Sequence, residues 1–196
     1  MVACCGSGPE TRWLAAKVGP LGAVFAVDRS TDALAVLRER LETWGATQVR
    51  VMAADVTYLP DDVRHLDRIL VAFGLHLLAV PRALRHWAGR SVPGARLVSI
   101  DWGPTRLALQ PVRDRTAQVR GERDDGLAVH RCHGWQKLST LTIPFTLPYA
   151  DIEDLRTDLA MRNQQLSKQV HQVDGRFWVE AAVVVRSYVL PPAICR

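Results

Sequence analysis

The sequence contains no run of about 18 uncharged apolar residues, so a membrane-spanning helix is not expected. No basic-then-apolar leader precedes the first structural motif, which argues against a secretory signal. Cysteine is scarce. Cys4, Cys5, Cys132 and Cys195 lack the spacing of a disulfide framework, and the first two are neighbours, which rarely pair with each other. That usage predicts a reducing, cytoplasmic setting. Lysine is scarcer still, with 3 residues against 22 arginines, a bias read as a mark of GC-rich coding sequence rather than of binding. The net charge of +5 is scattered, and its densest stretch, Arg113 to Arg131, also carries Asp114, Glu122, Asp124 and Asp125. A nucleic-acid partner is therefore not expected. His130, Cys132 and His133 lack the spacing of a closed zinc site and have no second ligand pair, so no metal is expected either. Internal repeats and low-complexity linkers are missing.

What is present fits one compact domain: 196 residues, 48% of them apolar, can build a sizeable core. Val2 to Cys5 reads as the end of an apolar strand that stops at a glycine turn. Pro9 and Glu10 suit the first turn of a helix, Trp13, Leu14 and Ala16 give it an apolar face, and Gly19-Pro20 ends it. Ala23 to Val27 is a continuous apolar run of the kind found in strands buried on both faces. Ser30 is a candidate cap for a helix with Leu34, Leu37, Leu41 and Trp44 on one side, ended by Gly45. Strands follow at Val49 to Ala53, Ile69 to Phe73 and Leu97 to Ile100, with a helix over Pro81 to Ala88. This alternation predicts an open α/β sheet with crossovers.

The last third reads differently. Residues 103–135 are polar, basic and poorly periodic, and are expected to be an insertion or a mobile segment. Leu138 to Ile143 is a strand candidate. Asp151 is expected to cap a helix with Ile152, Leu155, Leu159 and Leu166 on one face. Phe177 to Tyr188 alternates as a long strand, placed antiparallel at or near the sheet edge.

In open α/β sheets ligands of the nucleotide type bind outside the carboxyl ends of the strands. Three features fall there. Gly6 and Gly8 follow the first strand, and lacking Cβ they let the backbone approach a ligand closely, unless they are simple turn glycines. Asp28 ends the second strand, twenty residues after Gly8, where a carboxylate accepts from both ribose hydroxyls or else favours the next helix N-terminus. Asp55 ends the third, placed to accept from an adenine amino group or to sit as a solvated turn residue.

Val-Ala-Cys-Cys-Gly-Ser-Gly-Pro-Glu-Thr, residues 2–11, resembles the first motif of class I S-adenosylmethionine-dependent methyltransferases, closest to the ubiquinone and menaquinone biosynthesis group. Ala-Val-Asp-Arg-Ser around Asp28 resembles their second motif, and Ala-Ala-Asp-Val around Asp55 with Leu59-Pro60 their third. Leu66-Asp67-Arg68 to Leu75-His76-Leu77-Leu78 resembles the fourth, and Val92 to Val98 the turn and strand that follow. The likeness covers roughly residues 1–101.

It implies a Rossmann-like, mostly parallel sheet with an antiparallel C-terminal strand, as one methyltransferase-like domain over 1–196, and S-adenosylmethionine as cofactor. The cofactor set would be Cys5, Gly6, Ser7, Gly8, Asp28, Arg29, Asp55, Val56 and Phe73. His76 is the candidate base or acceptor-orienting group and Trp102 the candidate substrate-stacking residue; the alternatives are a packed or solvated histidine and a core tryptophan. Methyl transfer to a small-molecule acceptor is the implied activity, with a non-catalytic binding or partner subunit as the alternative.

Two departures stand out. The family carries an acid four positions before the first loop glycine, where Val2 stands, and a small residue where Cys4 stands. The family also has a complete first strand and N-terminal helices over the substrate. This sequence opens inside the strand, so an incomplete first strand and a truncated N-terminus are expected, and uncovered apolar surface allows a homodimer. A nicotinamide-binding Rossmann oxidoreductase is disfavoured: its third fingerprint glycine is replaced by Thr11, and no tyrosine–lysine pair sits at helical spacing.

Overall fold

The computed structural model describes residues 1–102, 109–111, 134–151, 153–154, 156–157, 164–166, 170–173 and 176–192. Two compact units divide the chain: Met1–Asp101 with Asp125–Thr140 and Val185–Arg196, and Trp102–Asp124 with Leu141–Val184.

The first unit holds β1 (Val2–Ala3), α1 (Pro9–Val18), β2 (Val24–Asp28), α2 (Thr31–Trp44), β3 (Val49–Ala53), β4 (Leu66–Ala72), α3 (Val80–Arg90) and β5 (Ser91–Trp102) up to Asp101. The strands lie in the order β3-β2-β1-β4-β5. Each neighbouring pair is parallel. Val24, Ala26 and Val27 are buried, as an apolar run covered on both faces must be. The strand order reverses at β1, which puts a ligand crevice at its carboxyl end.

The helices form for local reasons. In α2 the Ser30 hydroxyl accepts from the Ala33 N–H at 3.3 Å, and Leu34, Leu37 and Leu41 turn inward. Gly45 closes it at φ +62°, with its N–H donating to the last carbonyls. Helix α1 departs from the expected face. Thr11 and Ala15 are its buried residues, whereas Trp13 is 59% exposed. Thr11 and Ala15 stand one turn apart and are small, so the helix packs closely, and no room remains on that side for an indole. Helix α3 buries Ala83, Leu84 and Trp87. The Trp87 indole N–H donates to Val56 O at 2.8 Å, and that of Trp135 to Leu84 O at 3.1 Å.

Beyond β5 the sheet continues through β10 (Arg176–Val189) and then β7 (Gln136–Tyr149), giving a mostly parallel sheet with an antiparallel edge. Within the first unit Gly94 N–H donates to Leu190 O at 2.7 Å and Leu190 N–H to Ala95 O at 2.9 Å.

The second unit contains two short antiparallel pairings, β6 (Leu109–Pro111) with β8 (Gln164–Leu166), and β9 (Val170–Val173) with β10. Asp151 caps as expected, its Oδ1 accepting from the N–H of Glu153 and of Asp154. The expected helix face does not reach Leu166, which stands in β8 opposite Leu109. Strand pairing there overrides the helical spacing. Ile152, Leu155 and Leu159 lie outside the described residues, as do 103–108 and 112–133 of the expected insertion, the His130, Cys132 and His133 group, and Cys195. No described helix is long and apolar enough to cross a membrane.

Candidate functional site

The carboxyl ends of β1, β2 and β3 meet at one place because the three strands are adjacent and parallel. After β1 the chain enters a tight loop. Cys4 and Gly6 take φ of +54° and +49°, and Gly8 takes +90° at the N-cap of α1. Gly8 N–H donates to Cys5 O at 3.0 Å, and Cys5 N–H to Val27 O at 3.1 Å. The two glycines serve different ends. A Cβ at Gly8 would run into the Leu37 side chain, so this glycine lets α2 pack under the loop. A Cβ at Gly6 would meet open space, so here the backbone is bared to whatever lies above it.

Asp28 joins this loop to the next element. Its Oδ2 accepts from Gly6 N–H and its Oδ1 from Ser30 N–H, each at 2.9 Å. One carboxylate thus fixes both the glycine loop and the entry to α2. Each oxygen keeps a lone pair for a further donor. Arg40 of α2 steadies the loop from outside, with Nη1 donating to Ser7 O at 2.9 Å and to Ser7 Oγ at 3.0 Å.

Asp55 is held by its own turn. Oδ1 accepts from Thr57 N–H at 2.8 Å and Thr57 Oγ1–H at 2.7 Å, an Asx turn closed by a hydroxyl. The Thr57 side-chain bond, then the backbone bond, hold the Asp55 carboxyl below the usual carboxylate range. Helix α3 fastens the same turn from behind: Trp87 bonds Val56 O, and Leu59 N–H donates to His86 Nε2 at 2.9 Å.

Between these groups lies a cavity of about 240 Å³, bounded by Cys4, Asp28, Arg29, Asp55 and Val56. Ala54, Thr57, Tyr58, Leu77, Leu78, Ala79 and Arg82 complete its wall. Burial, and then the nearby Asp28 charge, push the Cys4 thiol up to about 11. The same two causes take Cys5 to about 12. Both sulfurs are therefore protonated at neutral pH and behave as small hydrophobes.

The structure brings Asp28, Arg29, Asp55 and Val56 together, with Gly6 bonded to Asp28. It does not bring all nine expected cofactor residues to the cavity wall. Cys5 is buried, Gly8 is spent on packing, and Ser7 is turned to Arg40. Phe73 directly follows β4 at φ +52°, its N–H donating to Ile100 O, outside the wall. His76 is exposed on a single turn, Leu75–Leu77, and does not line the cavity, although Leu77 and Leu78 do. Trp102 belongs to the second unit, with its ring 6.0 Å from that of Phe145. Sequence reasoning missed Thr57, Tyr58 and Arg82 as wall residues. Thr57 was discoverable, because an Asp followed two residues on by Thr is the signature of a closed Asx turn. Arg82 had no local signal, since it arrives from α3. Among the described residues no group of three or more His, Cys, Asp or Glu could hold a metal.

Residues 1–94 match the family described as a methyltransferase domain. Over 149 residues the chain is 30% identical to a 2-phytyl-1,4-naphtoquinone methyltransferase of Thermosynechococcus vestitus, covering 74% of this chain and 65% of that one. Over 112 residues it is 36% identical to a ubiquinone/menaquinone biosynthesis C-methyltransferase of Ectopseudomonas mendocina, covering 56% of this chain and 44% of that one. It thus spans less than two thirds of these relatives. The solved structure of a SAM-dependent methyltransferase from Aquifex aeolicus superposes with TM-score 0.58 at 20% identity, over 92% of this chain and 79% of that one, and shares its fold.

Proposed function

We propose that this chain transfers a methyl group from S-adenosylmethionine to a small-molecule acceptor of the quinone type, a reading supported by the match of residues 1–94 to the methyltransferase-domain family. One observation carries the cofactor half of this reading: two carboxylates, Asp28 and Asp55, bound one cavity at the ends of adjacent parallel strands. The names of the relatives carry the acceptor half.

The residues fit the cofactor. Asp28 would take the two ribose hydroxyls on its remaining lone pairs, while its bonds to Gly6 and Ser30 keep it aimed. Both Thr57 donors go to Asp55 Oδ1, which leaves Oδ2 for an adenine amino group. The Val56 side chain, buried behind that turn, would give the base an apolar flank. Gly6 leaves open space where a side chain would stand, so a ligand can lie on the loop backbone. S-adenosylmethionine, when bound, supplies a methyl group already activated for in-line displacement. What remains for the protein is alignment and exclusion of water. His76, next to the wall residues Leu77 and Leu78, is the group in this reading that would orient the acceptor or remove its proton. The nicotinamide alternative fits poorly, since Thr11 is fully buried where that fingerprint needs a glycine.

The test is transfer of labelled methyl from S-adenosylmethionine to demethylmenaquinone by the intact chain. Transfer that falls about 100-fold in His76→Gln, with cofactor affinity unchanged, is the expected result. A chain that binds the cofactor yet moves no methyl group to any quinone-type acceptor would leave a binding role in place of catalysis.

A further inference from the structure

Two neighbouring loops place a side chain and a glycine the opposite way round from what each backbone favours. Cys4 follows β1 at φ +54°, in the left-handed region that favours glycine. Gly74 follows Phe73 after β4 at φ −120° and ψ −15°, where the backbone does not call for glycine. What requires glycine at 74 is Cys4. A Cβ built there would lie 2.5 Å from Cys4 Cβ and 2.9 Å from its Sγ. The first of those atoms is fixed to the backbone, so no rotamer of Cys4 relieves the overlap. The next nearest atom, Val71 Cγ2 at 3.5 Å, is an ordinary contact.

The pair sits where the ligand crevice is expected. Strands β1 and β4 are adjacent and parallel, with Ala3 opposite Val71, so the two loops leave the sheet side by side. Cys4 bounds the same cavity as Asp28 and Asp55, whereas Gly74 is not among its wall residues. One side of Cys4 therefore meets Gly74 and another meets the cavity. A side chain added at 74 would press Cys4 toward the cavity.

Strand order indicates which part of a ligand Cys4 would meet. In the methyl-transfer reading, adenine goes to Asp55 beyond the end of β3 and ribose to Asp28 at the end of β2. The next strand is β1, where Cys4 stands. A cofactor laid in that order would carry its sulfur over Cys4.

We propose that Cys4, accommodated by Gly74, sets the space open to the groups on the cofactor's sulfur, and so is a specificity-determining residue of this cavity. The inference rests on the methyl-transfer reading. The thiol trims the cavity at its β1 end alone. Adenosine, which stops at the ribose, is indifferent to it, while a ligand with a chain on sulfur is not.

The test uses the intact chain, calorimetric titration with S-adenosylhomocysteine, and adenosine measured by competition against it. Cys4→Gly removes both atoms that a Cβ at 74 would meet and suits φ of +54°. It is expected to bind S-adenosylhomocysteine about three- to tenfold more tightly than the parent. Gly74→Ala is expected to bind it at least about tenfold more weakly. The double variant is expected to return to within about threefold of Cys4→Gly, because the overlap is gone. Adenosine affinity is expected to stay within about twofold throughout. Should Gly74→Ala not fold, the double variant still must. Cys4→Gly binding no more tightly than the parent, a double variant that is unfolded or as weak as Gly74→Ala, or adenosine affinity moving in step with S-adenosylhomocysteine would each overturn the proposal. A parent chain that binds neither ligand removes the methyltransferase reading, and this inference with it. A parent that binds both, with Cys4→Gly unchanged, removes this inference alone.

Discussion

Asp28 and Asp55 end neighbouring strands and bound the same cavity, yet they are anchored in opposite ways. Asp28 reaches outward: its two oxygens hold backbone N–H groups from two separate elements, 22 and 2 residues away in sequence. Asp55 is held locally by Thr57, and its turn is then secured by α3 through Trp87 and His86. The difference teaches that one acid is a structural bridge as well as part of the cavity wall. The other is a wall residue on a turn that something else supports. Damage to the first should disturb the glycine loop. Damage to the second should stay local unless α3 is the part removed.

The largest effect is expected from breaking that remote support. Trp87 is fully buried and bonds Val56 O, so Trp87→Ala should cost about 3–5 kcal/mol in urea unfolding. A cost under about 1 kcal/mol would show that α3 does not hold the Asp55 turn.

Asp28→Ala comes next. It strands the Gly6 and Ser30 N–H groups and, under the proposed function, removes the ribose acceptor, so affinity for S-adenosylhomocysteine should fall about 100-fold. Asp55→Ala should lower it only about tenfold, with little change in the unfolding midpoint. Equal losses from the two would erase the contrast.

The smallest effects concern pH. The Asp55 carboxyl is depressed by Thr57, so its contribution is present above the unfolded value of about 3.9 and is lost only as pH falls through the lower folded value. Cofactor affinity should therefore be flat from about pH 5 to 7 as far as Asp55 is concerned. Cys4 and Cys5, raised to about 11 and about 12, should resist iodoacetamide at neutral pH and react only as pH climbs toward those values. Rapid labelling near pH 7 would mean the loop opens far more than this packing allows.

Much of the first unit was legible in the sequence, and for identifiable reasons. The run Ala23 to Val27, the cap at Ser30, the Leu34, Leu37 and Leu41 face and the stop at Gly45 are each set by neighbours within a few residues. Asp28 and Asp55 were legible because a strand end fixes where an acid points. Trp13 misled because its hydrophobicity says nothing of the space available, which Thr11 and Ala15 take instead. Leu166 misled because its fate depends on pairing with Leu109, 57 residues earlier. Arg82 and Tyr58 were invisible for the same reason, since α3 and the Thr57 turn meet only in the fold.

The most direct test of the central claim is calorimetric titration of the intact chain with S-adenosylhomocysteine. One molecule should bind per chain, with affinity that falls about 100-fold in Asp28→Ala. A folded chain that gives no binding heat at any of several temperatures, or an Asp28→Ala variant that binds as tightly as the parent, would contradict the assignment of this cavity to an adenosyl cofactor.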